Sequence, residues 1–177
     1  MPFELITPRL VLQEMTLDDL DFVAAMLGDV EVMRHYPKVL SREDSAVWIQ
    51  RQLDRYVRDG TGLWIVRQRG SLVPVGQVGL LQQDVDGEWH PEIGYLLHRP
   101  FWHLGLAREA AEAVRDYAFR VRGCGHVISM IRPENVPSQG VARHLGMTPV
   151  HRLQWRGFVH DVWRVDAPEG SQGETGS

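Results

Sequence analysis

The sequence predicts a mixed α/β fold in which a mostly antiparallel sheet is flanked by helices. Three observations predict it: two amphipathic helical patterns come first, strand patterns begin at Leu63, and a strand at 93–97 leads through a glycine loop into a long helix. The chain has 177 residues, enough for one domain with a sizeable core. We therefore predict one domain over 1–166 and a disordered tail over 167–177, where Gly, Ser and Glu are frequent.

The first third of the chain predicts one short strand and two helices. Residues 10–12 form an apolar run of strand type. Thr16, followed three residues later by Asp19, is an acidic variant of the capping box that opens a helix, and Ser41 with Asp44 repeats the arrangement. Gly60 is expected to end the second helix. Helical spacing predicts the buried faces, which comprise Leu20, Val23, Ala24 and Leu27 in the first helix and Ala46, Ile49, Leu53 and Tyr56 in the second.

The middle of the chain predicts an antiparallel meander. Residues 63–68 and 73–82 have strand patterns on either side of a turn at 69–71. Gly76 and Gly79 interrupt the second strand, where glycine marks a bulge or the close approach of another backbone. Residues 84–89 are expected to form a loop before the next strand.

The most informative segment is 92–121, in which an apolar strand is followed by a loop with Gly105 and then by a long amphipathic helix. The first amides of a helix have no intrahelical partner and carry partial positive charge, so a loop without bulky side chains lets a phosphate approach them. The segment therefore predicts an anion site. An ordinary strand, turn and helix with glycine at a tight bend is the alternative interpretation.

The last third predicts a strand, a short helix and a hairpin. Residues 126–131 are apolar, and a turn at 132–135 leads into a helix that ends at Gly146. Residues 150–155 and 158–165 predict a hairpin around Arg156 and Gly157.

Composition excludes several classes of function. The 19 basic and 23 acidic residues give a net charge of -4, so broad electrostatic binding of nucleic acid is not expected. Cys124 is the only cysteine, which excludes an intrachain disulfide and favours a reducing compartment, so we expect a cytoplasmic protein. No long apolar run and no signal-peptide pattern occurs, and the histidines lack metal-ligand spacing. Neither a membrane partner nor a metal is expected.

Four segments in order carry a resemblance that pattern alone does not supply. They are Thr-Pro-Arg-Leu-Val-Leu at 7–12, Glu-Ile-Gly-Tyr-Leu-Leu at 92–97, Trp-His-Leu-Gly-Leu-Ala at 102–107, and Asn-Val-Pro-Ser at 135–138 with His-Leu-Gly-Met at 144–147. They resemble the opening strand, central strand, pyrophosphate loop and second cofactor motif of the GNAT superfamily of acyl-CoA-dependent N-acetyltransferases, most closely its ribosomal-protein RimJ/RimL branch. The loop departs from the family pattern, because Trp102, His103 and Leu104 stand where Gln or Arg, Gly and a basic residue are usual.

The resemblance implies a twisted, mostly antiparallel sheet of about seven strands with a splayed central strand and about four helices. It implies acetyl-CoA as cosubstrate and no metal. The implied coenzyme-binding residues are Leu96 and Leu97 on the central strand, Trp102, His103, Leu104, Gly105, Leu106 and Ala107 in the loop, and Asn135 and Ser138 in the second motif.

The implied reaction is direct attack of an amine on the thioester in a ternary complex, which needs a base, an oxyanion donor and a proton for sulfur. Glu92 is the candidate base, and a solvated strand-end acid is the alternative for it. The backbone amides near Leu96 and Leu97 are implied to face the thioester oxygen, and the Leu97 amide is the candidate oxyanion donor. The superfamily often uses a tyrosine in the helix after Asn135 as the acid, but none follows Tyr117, and the resemblance implies Ser138 instead. The alternative for Asn135 and Ser138 is a turn with a helix cap.

The resemblance also implies that the first two helices and the final hairpin select the acceptor, with His35 and Tyr36 as candidate contacts. Their aromatic and mixed-charge composition fits a peptide or protein N-terminus, or another primary amine, and the assembly is expected to be a monomer or a homodimer. Two alternatives stay open. One is a non-catalytic acyl-CoA-binding sensor or scaffold, and the other is a transferase for an acyl group longer than acetyl.

Overall fold

The computed structural model of the chain describes residues 2–170. These residues build one sheet of eight strands: β1 (Glu4–Ile6), β2 (Leu10–Gln13), β3 (Leu63–Gln68), β4 (Pro74–Val85), β5 (Glu88–Leu97), β6 (His126–Ile131), β7 (Thr148–Trp155) and β8 (Phe158–Asp166). The helices are α1 (Leu20–Leu27), α2 (Arg42–Asp59), α3 (Leu106–Arg120) and α4 (Val136–His144). The strand order is β1-β2-β3-β4-β5-β6-β8-β7, and every neighbouring pair is antiparallel except β5 and β6. The predicted mixed α/β fold is confirmed.

The helix ends predicted from local patterns are confirmed. The Thr16 and Asp19 side chains form a reciprocal capping box at a short 3₁₀ turn, which continues into α1. The Ser41 hydroxyl accepts a hydrogen bond from the Asp44 amide at the start of α2. Gly60 ends α2 with φ +69, a left-handed conformation that glycine adopts without a steric penalty.

Two local predictions are wrong. Strand β1, which pairs only with β2 at the sheet edge, was not expected, because three residues carry too little alternation to indicate a strand. The loop expected at 84–89 is a tight hairpin, since β4 and β5 pair up to Val85 and Glu88 around Asp86 and Gly87. Both turn residues have positive φ, and the Asp-Gly pair in the sequence is a known signal for this turn.

The predicted tail at 167–177 lies mostly outside the described residues. At its start, the Ala167 amide donates to the Gly125 carbonyl at 2.9 Å, which continues the pairing at the end of β8. No helix within residues 2–170 is long and apolar enough to cross a membrane.

The two faces of the sheet carry different helices and separate cores. Ile93, Tyr95 and Leu97 of β5 contribute to a core beneath α3 and α4, together with Leu106 and Val114. On the other face, α1 and α2 cover a second core, to which β5 contributes the partly buried Leu96. Because side chains alternate along a strand, even-numbered residues of β5 face α1 and α2, and odd-numbered residues face α3 and α4.

Strands β5 and β6 separate in the middle of the sheet. They run parallel and pair at one register position, Glu92 with Ile128, whereas β4 and β5 pair at ten positions. Just beyond this position, the Ser129 hydroxyl donates to the Ile93 carbonyl at 2.8 Å. We call the opening between residues 93–97 of β5 and 129–131 of β6 the fork. The splayed central strand is thus present, and its separation is from β6.

Candidate active site

Glu92 lies at the closed end of the fork. Its side chain shares a face with Leu96, toward α1 and α2, and the Met130 amide donates to its Oε1 at 3.4 Å. Burial raises the pKa of the Glu92 carboxyl to about 7, although the Met130 amide and the charges of Arg55 and Arg156 act in the opposite direction. A carboxyl with this pKa is ionised in a large fraction of molecules at neutral pH and can both accept and release a proton there.

Backbone polarity along β5 decides which amides face the fork. The Ile93 carbonyl accepts from Ser129 of β6, whereas the His98 amide donates to the Val75 carbonyl on the β4 side. Since successive residues of a strand point their polar groups to opposite edges, the amides of Tyr95 and Leu97 face the fork and that of Leu96 faces β4. Of the two predicted amide donors, only Leu97 is therefore directed at the opening.

Tyr95 spans the fork on the opposite face from Glu92. Its hydroxyl donates to the Ser138 carbonyl of α4 at 2.7 Å. Burial, together with the negative charge of Glu92, raises the pKa of this phenol above its ordinary range, although hydrogen bonding to Ser129 lowers it. The phenol therefore remains protonated at neutral pH, and its hydroxyl is a hydrogen-bond donor inside the fork.

The start of α3 forms a backbone cradle beside the open end of the fork. Gly105 has φ +76 and precedes the helix, and the Glu109 amide makes the first intrahelical bond, to the Gly105 carbonyl. The amides of residues 106–108 precede that bond, so they are available to an anion. Leu106 is buried and anchors the helix start in the core, and Ala107 is half-buried beside it. This geometry fits a diphosphate.

An ion pair fixes the cradle to the N-terminal strands. The Glu109 carboxylate accepts from the Thr7 hydroxyl at 2.7 Å, from the Arg9 amide at 2.8 Å and from Arg9 Nε at 2.5 Å. Arg9 also donates to the Leu104 carbonyl at 2.8 Å. Since Glu109 is engaged by these groups, its negative charge is compensated next to the helix start.

The three loop residues that depart from the family pattern have distinct positions. The Trp102 indole donates to the Leu97 carbonyl at 2.9 Å and so ties the loop to the end of β5. His103 is exposed and has φ +61, a left-handed conformation that residues other than glycine adopt uncommonly. The Leu104 side chain carries no charge, and because it is 52 % exposed it contributes little packing.

The second predicted motif forms the start of α4. The Asn135 side chain accepts from the Ser138 amide at 3.2 Å, which is a helix cap. Ser138 is half-buried beneath Tyr95, and its carbonyl holds the phenol. The structure thus brings Ser138, Tyr95 and the open edge of β5 together, while Asn135 holds the helix start in place.

The two predicted acceptor residues lie on the Glu92 face. The His35 carbonyl accepts from Arg132 Nη1 at 3.1 Å, and burial lowers the pKa of the His35 imidazole. The guanidinium carbon of Arg132 lies 4.0 Å from the centre of the Phe158 ring, in a cation–π contact. Although the Tyr36 residue is 36 % exposed, burial of its hydroxyl raises the pKa of the phenol to about 12, and the nearby Glu92 carboxylate adds to this shift. The segment after α1, the end of β6 and the start of β8 therefore converge beside Glu92.

Comparison with known proteins identifies the family. A model of the acetyltransferase (GNAT) domain matches residues 9–148. The chain belongs to the GNAT acetyltransferase family. Among curated relatives, the Bacillus subtilis protein YkkB is 30 % identical over 145 residues, which cover 81 % of this GNAT chain and 84 % of the relative.

Solved structures show the same GNAT fold. An acetyltransferase from Agrobacterium tumefaciens superimposes with a TM-score of 0.80 at 24 % identity, covering 93 % of this chain and 95 % of the other. RimL, a ribosomal L7/L12 α-N-protein acetyltransferase in complex with coenzyme A, gives a TM-score of 0.74 at 16 % identity, covering 93 % and 98 %. At these identities the likeness establishes the fold and not the substrate.

Sequence reasoning assigned no role to Tyr95 in this GNAT protein. Its position in the fork depends on contact with Ser138, 43 residues away, which no local pattern reports. The available signal was its place two residues before Leu97, because residues two apart on a strand share a face. Within residues 2–170 no group of three or more potential ligands is arranged to hold a metal ion.

Proposed function

We propose that this protein transfers an acetyl group from acetyl-CoA to a primary amine by direct attack in a ternary complex. The observation that carries this proposal is the position of Glu92 at the closed end of the fork, with a pKa of about 7. The fork opens the sheet between two faces, of which one carries the proposed base and the other carries the backbone cradle of α3. A thioester held on one face can thus meet an amine held on the other.

The proposed roles follow from the chemistry of the amine and of the thioester. An alkyl ammonium has a pKa of about 10.4 and an α-ammonium about 7.7–8.0, so the acceptor must lose a proton before it attacks. Ionised Glu92 receives that proton directly or through water. The Leu97 amide, which faces the fork, stabilises the oxyanion of the tetrahedral intermediate. Acetyl-CoA supplies the acyl group and a thiol leaving group.

Coenzyme binding is proposed for the amides at the start of α3. Gly105 has no side chain to block the cradle. Gly140 of α4 lies close to Arg108, since a Cβ at that glycine would be 3.7 Å from Arg108 Nη2. The exposed Arg108 thus stands between α3 and α4 and offers the cation that Leu104 does not supply. His103 at the loop and Ser138 at the start of α4 complete the proposed binding surface. The RimL structure with coenzyme A supports this type of ligand for the fold.

The proposed acceptor is a peptide or protein N-terminus, with a small primary amine as the wider class. Likeness to RimL, which acts on a ribosomal protein, supports assignment to the RimJ/RimL branch. Three contacts form the proposed acceptor surface: His35, Tyr36 and the Arg132–Phe158 pair. We further propose that residues 1–166 act as one cytoplasmic acyltransferase domain, as a monomer or a homodimer.

Two experiments test the proposal. Calorimetry measures binding of acetyl-CoA and of longer acyl-CoAs, and a thiol-release assay then measures turnover on a panel of amines and N-terminal peptides. We expect acetyl-CoA to bind and to be consumed with at least one acceptor. Binding without turnover on any acceptor would favour the sensor, and faster turnover of a longer thioester would reassign the acyl group. Failure of every acyl-CoA to bind would contradict the transferase assignment.

The role of Glu92 is tested by Glu92→Gln. A general base contributes about 10²–10⁴-fold to a rate, so we expect kcat to fall by at least about 100-fold. The wild-type rate should rise with pH through about 7, as the carboxyl ionises, whereas the variant should rise only at higher pH, as free amine accumulates. Glu88→Gln, an exposed acid on the same strand face, is the matched control and should leave both profiles unchanged. A variant profile that overlays the wild type would remove Glu92 from this role.

A further inference from the structure

The leaving thiolate needs a partner, and the residues of the fork offer more than one. The family pattern points to the hydroxyl of Ser138, and in this structure the backbone of Ser138 also holds a second hydroxyl, that of Tyr95, beside it. The Ser138 amide donates to the Asn135 cap, and the Ser138 carbonyl accepts from Tyr95. The phenol of Tyr95 lies on the same face as the cradle of α3, and its own amide and that of Leu97 face the same opening.

We propose that the Tyr95 hydroxyl donates a hydrogen bond to the sulfur of coenzyme A and stabilises the thiolate as it leaves. This inference rests on the proposed function. The 2.7 Å bond to the Ser138 carbonyl holds the hydroxyl inside the fork before the thioester arrives, and the donor then turns from the carbonyl to the sulfur. One strand thus supplies the oxyanion donor, at Leu97, and the thiolate donor, two residues earlier.

The acidity of the groups decides between proton transfer and hydrogen bonding. A thiol has a pKa of about 8.5 and an ordinary tyrosine about 10. Burial and the Glu92 charge raise the pKa of Tyr95 further, so the phenol keeps its proton while the sulfur is ionised. A phenol is also a better donor than an aliphatic hydroxyl such as that of Ser138, because its proton is more acidic.

The bonds and protons then balance without net change in Tyr95. The amine nitrogen forms a bond to the carbonyl carbon, and the C–S bond breaks with its electron pair on sulfur. The acceptor ammonium first loses one proton to Glu92, which passes it to water, and the nitrogen loses a second proton by the same route as the amide forms. The thiolate takes one proton from water. Tyr95 stabilises the negative charge on the sulfur between breakage of the C–S bond and protonation of the thiolate.

The inference is tested on the bound product, without turnover or acceptor. The ultraviolet absorbance of the thiolate reports the pKa of the coenzyme A thiol during a pH titration, and a Cys124→Ser background removes the only protein thiol. We expect Tyr95→Phe to raise the pKa of the bound thiol by about 1–2 units, which is the effect of one hydrogen bond to a charged group. Glu92 and Tyr36, whose charges also act on Tyr95, are present in both proteins.

Two further variants make the outcome specific. Tyr117→Phe removes a hydroxyl from a ring that packs against Phe3 and Trp64, away from the fork, and should leave the thiol pKa unchanged. Ser138→Ala should also leave it unchanged, and a shift with Ser138→Ala instead of Tyr95→Phe would return the donor role to Ser138. Calorimetry of coenzyme A binding shows that each variant is folded. Binding with an unaltered thiol pKa in Tyr95→Phe would overturn this inference alone, whereas absence of binding to the Cys124→Ser protein would overturn the proposed function with it.

Discussion

The carboxyl of Glu92 has a pKa of about 7 in the folded protein, against an ordinary value of 4.5. Because the pKa differs between the folded and unfolded chain, the free energy of unfolding depends on pH through this group. Below pH 4.5 the group is protonated in both the folded and the unfolded chain. As pH rises from 4.5 to 7, the unfolded chain loses this proton first, so the contribution of Glu92 to folding becomes less favourable. Above about 7 the carboxylate is ionised in both states, and its partial loss of water destabilises the folded protein by a constant amount.

We therefore expect Glu92→Gln to stabilise the protein at pH 8 and to have a smaller effect at pH 4. The gain at pH 8 should be on the order of 2 kcal/mol, from 1.36 kcal/mol per pKa unit reduced for partial contact with water. Thermal unfolding at a series of pH values measures it. Glu88→Gln is the control, since that carboxyl is exposed. A gain that is equal at both pH values would show that Glu92 is not desolvated.

Residue types and spacing located some of these groups and missed others. Glu92 could be singled out because an acid at the head of an apolar strand is conspicuous. Its raised pKa could not, because desolvation depends on the elements that pack around the fork. Likewise Asp19 was predicted as a capping residue, which it is, but its buried ion pair with Arg67, 48 residues away, required the folded sheet.

Among the structural elements, the loop before α3 carries a conformation that its sequence does not favour. His103 has φ +61 where the family pattern has glycine, and a left-handed non-glycine residue costs on the order of 1–3 kcal/mol. We expect His103→Gly to raise the free energy of unfolding by up to about 1 kcal/mol, because the relief of strain exceeds the entropy that glycine adds to the unfolded chain. Urea unfolding measures this difference.

The adjacent residue gives a matched control for this prediction. Leu104 is exposed and is not among the residues with positive φ, so Leu104→Gly should only add freedom to the unfolded chain and destabilise by about 0.5–1 kcal/mol. Equal destabilisation by the two substitutions would mean that the loop is not strained at His103. A change in coenzyme A affinity with His103→Gly would report the contribution of the His103 side chain to the proposed binding surface, because the backbone cradle after Gly105 is present in both proteins.

Element boundaries that depend on residues adjacent in sequence were predictable. Elements that depend on pairing with another strand were less predictable. Caps at Thr16, Ser41 and Gly60 are local hydrogen bonds or local φ preferences, and all three occur as predicted. Strand β1 exists because its three residues pair with β2. The hairpin at Asp86 had a local signal in the Asp-Gly pair, but a run of polar residues around it suggested a loop.

At the scale of the whole molecule, the fork divides the sheet into an arm of β1 to β5 and an arm of β6, β8 and β7. The arms are joined by the register position at Glu92, by the Ser129 and Met130 bonds on its open side and by the His90–His126 pair on the other side. Pattern alone does not predict such an opening, because β5 and β6 are both ordinary apolar strands. The resemblance supplied it, and the structure shows which edge of β5 is exposed as a result.

This exposed edge gives a residue-resolved prediction for coenzyme binding. Because polar groups alternate along β5, the amides of Tyr95 and Leu97 face the fork, whereas those of Gly94 and Leu96 face β4. A coenzyme that pairs with the edge should slow hydrogen exchange at Tyr95 and Leu97 by at least about fivefold, the effect of a net hydrogen bond of about 1 kcal/mol. Exchange at Gly94 and Leu96, already bonded within the sheet, should change much less.

Amide exchange measured by NMR with and without coenzyme A tests this alternation directly. The amides of residues 106–108 should be protected in the same experiment, because the proposed diphosphate lies on them. Protection of 106–108 without Tyr95 and Leu97 would place the coenzyme on α3 but outside the fork, and the thioester would then be too far from Glu92 for the proposed reaction. Equal protection at all four β5 positions would instead indicate a general stiffening of the strand, because ligand contact through one edge must follow a period of two.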